Sequence, residues 1–199
     1  RGAANKIADY LKEKDLHPPW LINTARFGMV GPFDSMPFEQ ASNLVMVNVV
    51  AVAEVTQKLL PAIRLCRDGR IINVASTAAF QPVPFFNLYA ASKTFVLNFS
   101  EALHEELRTT DVSVLALCPG PTPTNFHESA NLDPKLFDKG QSAADVVRMG
   151  LAASDRNRAV LVCQRLLPIM MQRFLPRFAV RIGAGLVARS FMKKMQKQD

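Results

Sequence analysis

Four short apolar runs rich in Val, Ile and Leu alternate with segments of helical spacing, and this alternation constrains the fold more than any other sequence feature. The runs are WLINTA, IINVAS, VSVLALC and AVLVC, at residues 20–25, 71–76, 112–118 and 159–163. Strands that alternate with helices form a parallel sheet with helices on both faces. The runs have no polar face, which agrees with a sheet covered on both sides. The sequence therefore predicts a doubly wound α/β fold.

The ends of the predicted strands carry the polar candidates for a site. Helices are predicted over residues 3–14, 39–65, 87–107 and 142–153, and a loop or lid over 122–140. Doubly wound sheets bind their ligands at the carboxyl ends of the strands. Those ends carry Asn23, Thr24, Ser76, Pro119 and Gly120. We therefore expect the candidates to converge on one edge of the sheet.

The stretch NLYAASKTF, residues 87–95, places Tyr89 and Lys93 one helical turn apart on an apolar helix. The lysine ammonium can then reach past the ring towards the phenol oxygen. One interpretation is a core tyrosine beside a lysine that extends to water. The other is a proton donor or acceptor, because a nearby ammonium lowers the phenol pKa from about 10 towards neutrality. These two residues alone do not decide between the interpretations.

Three motifs together resemble those of the short-chain dehydrogenase/reductase family. They are INVAS at a strand end, YAASK at the start of a helix, and CPGPTPT at the end of the next strand. The resemblance covers nearly the whole chain, and it favours the catalytic interpretation of Tyr89 and Lys93. It implies a Rossmann-type sheet and an oxidoreductase that uses NADP or NAD.

The resemblance also implies roles for individual residues. Tyr89 exchanges a proton with the substrate oxygen, and Ser76 donates a hydrogen bond to the same oxygen. Lys93 lowers the pKa of Tyr89 and holds the nicotinamide ribose. Asn48 matches the family asparagine that holds a water of the proton relay; a buried polar residue on an apolar helix is the alternative. The implied cofactor-binding residues are Asn23, Ala25, Tyr89, Lys93, Pro119, Gly120, Thr122 and Thr124.

Two departures from the family pattern affect these expectations. Asn23-Thr24-Ala25-Arg26 stands where the family has Asn-Asn-Ala-Gly, so that Arg26 either clashes or turns out to solvent. No glycine-rich phosphate loop occurs in the sequence, and the family's opening β-α-β-α-β of about 70 residues is missing. We therefore expect only the catalytic half of a Rossmann-type doubly wound parallel sheet. The chain is then either a fragment of a longer enzyme or one that has lost its cofactor half.

The loop between the serine and tyrosine motifs indicates the substrate class. In such a fold this loop borders the substrate pocket, and an apolar wall fits a ketone or alcohol on an apolar body. Packing of the loop itself is the alternative. The loop carries Phe80, Pro82, Pro84, Phe85 and Phe86.

The predicted function is hydride transfer between NAD(P)H and an apolar ketone or secondary alcohol. Within the family, the similarity is greatest to reductases of acyl or steroid-like ketones. The alternative function is that of a catalytically silent or truncated relative, which serves as a binding or membrane-surface module.

The net charge of +7 arises entirely in residues 161–199, where eight basic side chains accompany one carboxylate. We therefore predict a catalytic part, residues 1–160, and a basic amphipathic tail, residues 161–199. Arg173, Arg177 and Arg181 lie on one helical stripe. This stripe fits either a helix on anionic lipid or packing against the domain or a second subunit.

Other partners are not indicated by the sequence. No nucleic-acid motif accompanies the positive charge, and the scattered cysteines and histidines form no metal-ligand pattern. Unpaired cysteines suit a reducing compartment. We expect a cytoplasmic protein that is a homo-oligomer when complete, with peripheral membrane contact through the tail as a further alternative.

Overall fold

Four parallel strands form one sheet, in the order β1-β2-β3-β4. The computed structural model describes residues 2–126, 130, 140–163 and 179–185. The strands are β1 (Trp20–Asn23), β2 (Gly69–Val74), β3 (Val112–Cys118) and β4 (Val160–Val162). Each predicted apolar run overlaps one strand, and the predicted parallel α/β sheet is confirmed.

The strand register brings the carboxyl ends of the strands to a common edge. Asn23 pairs with Asn73, and Val74 pairs with Leu117. Beyond the strands, the Thr77 amide donates a hydrogen bond to the Pro119 carbonyl at 2.9 Å. The segments that follow β2 and β3 are therefore fastened to each other where the predicted site residues lie.

Helices pack on both faces of the sheet. Successive strand residues point to opposite faces: Ile71 packs with Leu59 and Leu103, whereas Ile72 packs with Val146. This alternation confirms a doubly wound arrangement in the described residues. The helices are α1 (Ala3–Glu13), α2 (Phe38–Val45), α3 (Ala51–Ile63), α4 (Asn87–Glu106) and α5 (Ala143–Asp155).

The helix predicted over residues 39–65 contains a π-helical turn. This turn is Met46–Val50, and it joins α2 to α3 without a break. Among the described helices, Phe38–Ile63 alone is long and apolar enough to cross a membrane, by length and composition only. Because Leu44 and Leu59 are buried against the rest of the protein, we interpret it as a helix of the folded domain.

The predicted tail lies mostly outside the described residues, as do Arg173 and Arg177. Residues 179–185 are helical, and Arg181 is exposed. The predicted loop over 122–140 is described only at its two ends and at residue 130. The division of the chain at residue 160 therefore stays a prediction.

Candidate active site

Helix α4 places Tyr89 and Lys93 in the interior of the domain. Tyr89 is 6% exposed and Lys93 is 2% exposed. The Lys93 ammonium donates a hydrogen bond to the Val74 carbonyl at 2.8 Å, and it lies 5.8 Å from the centre of the Tyr89 ring. The interpretation of Lys93 as a lysine that extends to water is therefore wrong.

The Tyr89 ring lies against two phenylalanine rings. Phe86 stacks on it with ring centres 4.2 Å apart, and Phe126 contacts it at 5.3 Å. Such aromatic contacts hold a ring in one orientation while its polar tip remains available. Tyr89 lines the cavity described below, so its hydroxyl is the polar group of an aromatic cluster beside that cavity.

The environment of Tyr89 acts on its pKa in two directions. Burial raises the pKa, whereas the Ser76 hydroxyl and the charge of Arg26 lower it, with burial dominant. The predicted lowering of the Tyr89 pKa by Lys93 is not found. The Lys93 ammonium is hydrogen-bonded to the β2 backbone, and the cation that acts on the phenol is Arg26.

Burial lowers the pKa of Lys93, whereas it raises the pKa of Tyr89. Loss of hydration and, to a smaller extent, repulsion by Arg26 lower the pKa of its ammonium to about 8, and Cys118 opposes the change. The ammonium is therefore still mainly protonated at neutral pH. A buried charge of this kind is costly to keep and is characteristic of functional sites.

Ser76 follows β2 by two residues and has an extended backbone. Its Oγ accepts a hydrogen bond from the Ala78 amide at 3.1 Å, which begins the short 3₁₀ turn Thr77–Phe80. A hydroxyl that accepts in this way keeps its own proton for donation. Ser76 also lines the cavity, and it is therefore placed to donate to an oxygen beside Tyr89.

Asn48 is fully buried in the π-helical turn, and its side-chain amide clamps the backbone of one residue in the loop after β1. Its Oδ1 accepts from the Phe27 amide at 2.8 Å, and its Nδ2 donates to the Phe27 carbonyl at 2.8 Å and to Ser92 Oγ at 3.0 Å. Both amide protons are thus used within the protein. In the structure Asn48 therefore supports the loop after β1. The role of Asn48 in holding a water stays a prediction.

A cavity of about 520 Å³ opens at the carboxyl ends of β2 and β3. Its walls are largely apolar and include Ile72, Leu117 and Val146. The predicted site residues that line it are Ser76, Tyr89, Pro119, Gly120, Thr122 and Thr124.

The remaining predicted site residues lie outside this lining. Lys93 and Asn48 are buried behind it, and Ala25 is an exposed residue of the loop after β1. The Asn23 side chain donates to Asn73 Oδ1 at 2.7 Å and to Thr56 Oγ1 at 3.2 Å. Asn23 is therefore part of a polar network behind the strand end.

Of the five apolar residues in the loop that was predicted to border the substrate pocket, one lines the cavity. Phe86 lines the cavity, whereas Phe80 packs against a core cluster. Phe85 takes a left-handed backbone, with φ of 64°, and its carbonyl accepts from the Gly31 amide at 2.9 Å. Packing of the loop itself, the alternative interpretation, therefore describes Phe80.

Phe126 supplies an aromatic wall that the sequence did not indicate. It lines the cavity and fills the space beside Gly28, where an added Cβ would lie 2.6 Å from the ring. A side chain at this position would therefore displace the Phe126 ring. No local pattern in the sequence indicates this contact, because Gly28 and Phe126 lie almost a hundred residues apart in the chain.

Arg26 neither clashes with the fold nor turns out to solvent. Its Nη2 donates to Thr124 Oγ1 at 2.6 Å, and its guanidinium lies 4.6 Å from the centre of the Phe126 ring. The side chain is half-buried and lines the cavity. The residue that departs from the family pattern is thus built into the site.

These groups fit the nicotinamide end of a dinucleotide. Hydroxyls of Ser76, Thr122 and Thr124 and the backbone at Gly120 meet at the carboxyl ends of the strands, where such cofactors bind. The Lys93 ammonium is hydrogen-bonded to the carbonyl of Val74, the last residue of β2, two positions before Ser76. A helix N-terminus preceded by a glycine-rich loop, which holds the pyrophosphate, is not encoded in these 199 residues.

Comparison with known proteins gives one family match. A family model described as short chain dehydrogenase matches residues 5–135. A probable short-chain type dehydrogenase/reductase of Helicobacter pylori is 32% identical over 129 residues, which are 65% of this chain and 48% of that protein. The 17-beta-hydroxysteroid dehydrogenase type 3 of Mus musculus is 36% identical over 119 residues, covering 57% and 38%.

The ketoacyl reductase HetN of Nostoc is 34% identical over 100 residues, which are 50% of this chain and 35% of that protein. The chain therefore matches about half or less of the length of these curated relatives. Among solved structures, a short-chain dehydrogenase of Burkholderia cenocepacia in complex with NADP superposes with a TM-score of 0.76 at 24% identity, covering 92% of this chain and 76% of that one. This likeness confirms the fold.

Proposed function

Because this chain belongs to the short-chain dehydrogenase/reductase family, we propose that it forms the catalytic part of an NAD(P)-dependent oxidoreductase. The reaction is the interconversion of an apolar ketone and its secondary alcohol. The observation that carries the proposal is the Tyr89 hydroxyl, buried beside Ser76 on a cavity with the Lys93 ammonium behind it. The ketoacyl reductase and hydroxysteroid dehydrogenase among the relatives act on substrates of this class by name.

Each of the three site residues has a distinct task in ketone reduction. When bound, the nicotinamide ring supplies the hydride for reduction or accepts it in alcohol oxidation. Tyr89 donates its phenolic proton to the carbonyl oxygen as charge develops there, and Ser76 donates a hydrogen bond to the same oxygen. The charge of Arg26 favours loss of the phenol proton, and the Lys93 ammonium lies 5.8 Å from the centre of the Tyr89 ring, where it is placed to hold the nicotinamide ribose. In alcohol oxidation Tyr89 takes the hydroxyl proton instead.

The cavity walls support an apolar body on the substrate. Ile22 and Ile72 come from the sheet, and Val146, Val147 and Leu151 come from α5. Such a lining favours a carbon chain or ring system over a sugar, because each buried apolar carbon adds favourable transfer free energy. NADP and NAD remain alternatives for the cofactor. We further propose that the complete protein is a cytoplasmic homo-oligomer.

The test is Tyr89→Phe in the complete protein, which removes the phenol oxygen and keeps the ring stack. General acid catalysis contributes about 100- to 10,000-fold, so we expect turnover of ketones with NADPH to fall by that factor. The affinity for NADPH, measured by fluorescence, should stay near that of the wild type. Tyr10→Phe is the matched control, since Tyr10 is exposed on α1. Retention of most of the turnover by Tyr89→Phe would exclude the assignment.

A further inference from the structure

Arg26 is a cation at the cavity without an acidic partner. Among the cavity-lining residues that the structure describes, it alone carries a charge. No described carboxylate lies within ion-pair distance of it. Its described protein contacts are the Thr124 hydroxyl and the face of the Phe126 ring. One Nη2 donor is engaged, whereas a guanidinium has five N–H donors in a planar fork.

The fold holds Arg26 in place from two sides. The Asn48 amide binds both the N–H and the C=O of the adjacent residue, Phe27, each at 2.8 Å. On the other side Phe126 packs against Gly28, and the guanidinium stacks on that ring. The guanidinium is therefore oriented before any ligand enters, which reduces the entropy lost on binding.

The electrostatic surroundings of Arg26 favour the binding of an anion beside its guanidinium. The half-buried guanidinium lies near a second buried cation, Lys93, whose charge it repels. Cations withdrawn from water in this way are stabilised by an anion that accepts their hydrogen bonds. A guanidinium fork matches the paired oxygens of a carboxylate or a phosphate.

We propose that Arg26 binds an anionic group, a carboxylate or a phosphate, of the ligand that occupies the cavity. The inference rests on the proposed function for the presence of a ligand there, and it adds a charged determinant to a lining that is otherwise uncharged in the described residues. The anion has two sources: the phosphates of the dinucleotide, or an acidic group on the ketone substrate. Charge-assisted bonds of this type typically change affinity by about 10- to 100-fold.

The experiment measures equilibrium binding by calorimetry, so that it does not depend on turnover. The probes are NADPH, the long-chain keto acid ketostearate, and the methyl ester of that acid, which lacks the charge. The complete protein is compared with Arg26→Gln and with Arg26→Met, whose apolar stem can still pack on Phe126. Arg108→Gln is the matched control, because Arg108 is exposed on the surface at the end of α4. Thermal unfolding checks that each variant is folded.

We expect both Arg26 variants to lose about tenfold or more in affinity for an anionic probe, with ester binding unchanged. A loss confined to ketostearate identifies the anion as a substrate acid, and a loss confined to NADPH identifies it as a cofactor phosphate. Unchanged binding of both anionic probes, or an equal loss for acid, ester and NADPH, would overturn the proposal. Absence of ketone turnover in the wild type would defeat the proposed function and leave this binding comparison intact.

Discussion

At the scale of single residues, Lys93 is a site residue whose buried charge lowers the stability of the folded protein. Its ammonium is 2% exposed, and its described hydrogen-bond acceptor is the Val74 carbonyl. A lysine held in this way gains one bond and loses the hydration of a full charge. The pKa of Lys93 is lowered to about 8 because the single hydrogen bond does not make up for the lost hydration. A catalytic group can thus be retained at a cost in stability.

The cost should appear as a dependence of stability on pH. Lys93 has an ordinary pKa of 10.5 when unfolded and about 8 in the fold, so between these values the unfolded chain binds more protons. The free energy of unfolding therefore rises with pH in this window. We expect the wild type to gain about 1–3 kcal/mol relative to Lys93→Met between about pH 7 and about pH 10.

Urea unfolding of both proteins at the two pH values gives this difference. Groups common to the two proteins, Tyr89 included, cancel in the comparison. A difference between wild type and Lys93→Met that stays constant with pH would show that folding does not lower the pKa of Lys93, and hence that its ammonium is not withdrawn from water.

Single residues also show what the sequence could and could not predict at the site. The spacing of Tyr89 and Lys93 was sufficient to place them one turn apart on one helix, because helical geometry fixes it, whereas the burial of the Lys93 ammonium is known from the structure. The direction of Arg26 was not predictable, since it depends on Thr124, which is 98 positions later in the chain. Hydrogen bonds between distant loops leave no local pattern in a sequence.

At the scale of elements, the π-helical turn Met46–Val50 connects the long helix to the active-site loop. Asn48 in this turn makes the two backbone bonds that hold Phe27. Single π turns inside helices are rare overall, and those that occur frequently lie at functional sites. The apolar pattern of the segment predicted the helix but could not reveal the π turn. A π turn holds one residue more than an α-helical turn, and this extra residue rotates the following side chains about the helix axis without changing the composition of the segment.

Removing this clamp should destabilise the protein strongly. Asn48→Leu keeps the approximate volume and leaves the part-buried amide and carbonyl of Phe27 without their side-chain partner. We expect the free energy of unfolding to fall by about 2–4 kcal/mol. Asn43→Leu, an exposed change on the same helix, is the control. Chemical denaturation measures both, and equal stability of the two variants would mean that Asn48 does not support the loop.

At the scale of the whole molecule, the described sheet has an uncovered side at β1. This strand pairs with β2 on one side, and Trp20 and Ile22 are 41% and 46% exposed. Arg70 covers part of Trp20, with its guanidinium 4.7 Å from the ring centre. The alternation of strands and helices predicted the parallel sheet, and the missing opening β-α-β-α-β agrees with the position of β1 at the edge of the described sheet.

A free apolar strand edge recruits other chains, because its backbone donors and acceptors and its side chains are unpaired. We therefore expect the 199-residue chain to self-associate, with a mean mass that rises with concentration in light scattering. Ile22→Lys adds a charge to this edge strand and should weaken the association by about tenfold or more, as lysines do on natural edge strands. Leu65→Lys is the control, since Leu65 is 78% exposed beyond the end of α3. If the wild type remains monomeric at every concentration, or if both lysine variants associate as it does, the edge of β1 is not the contact.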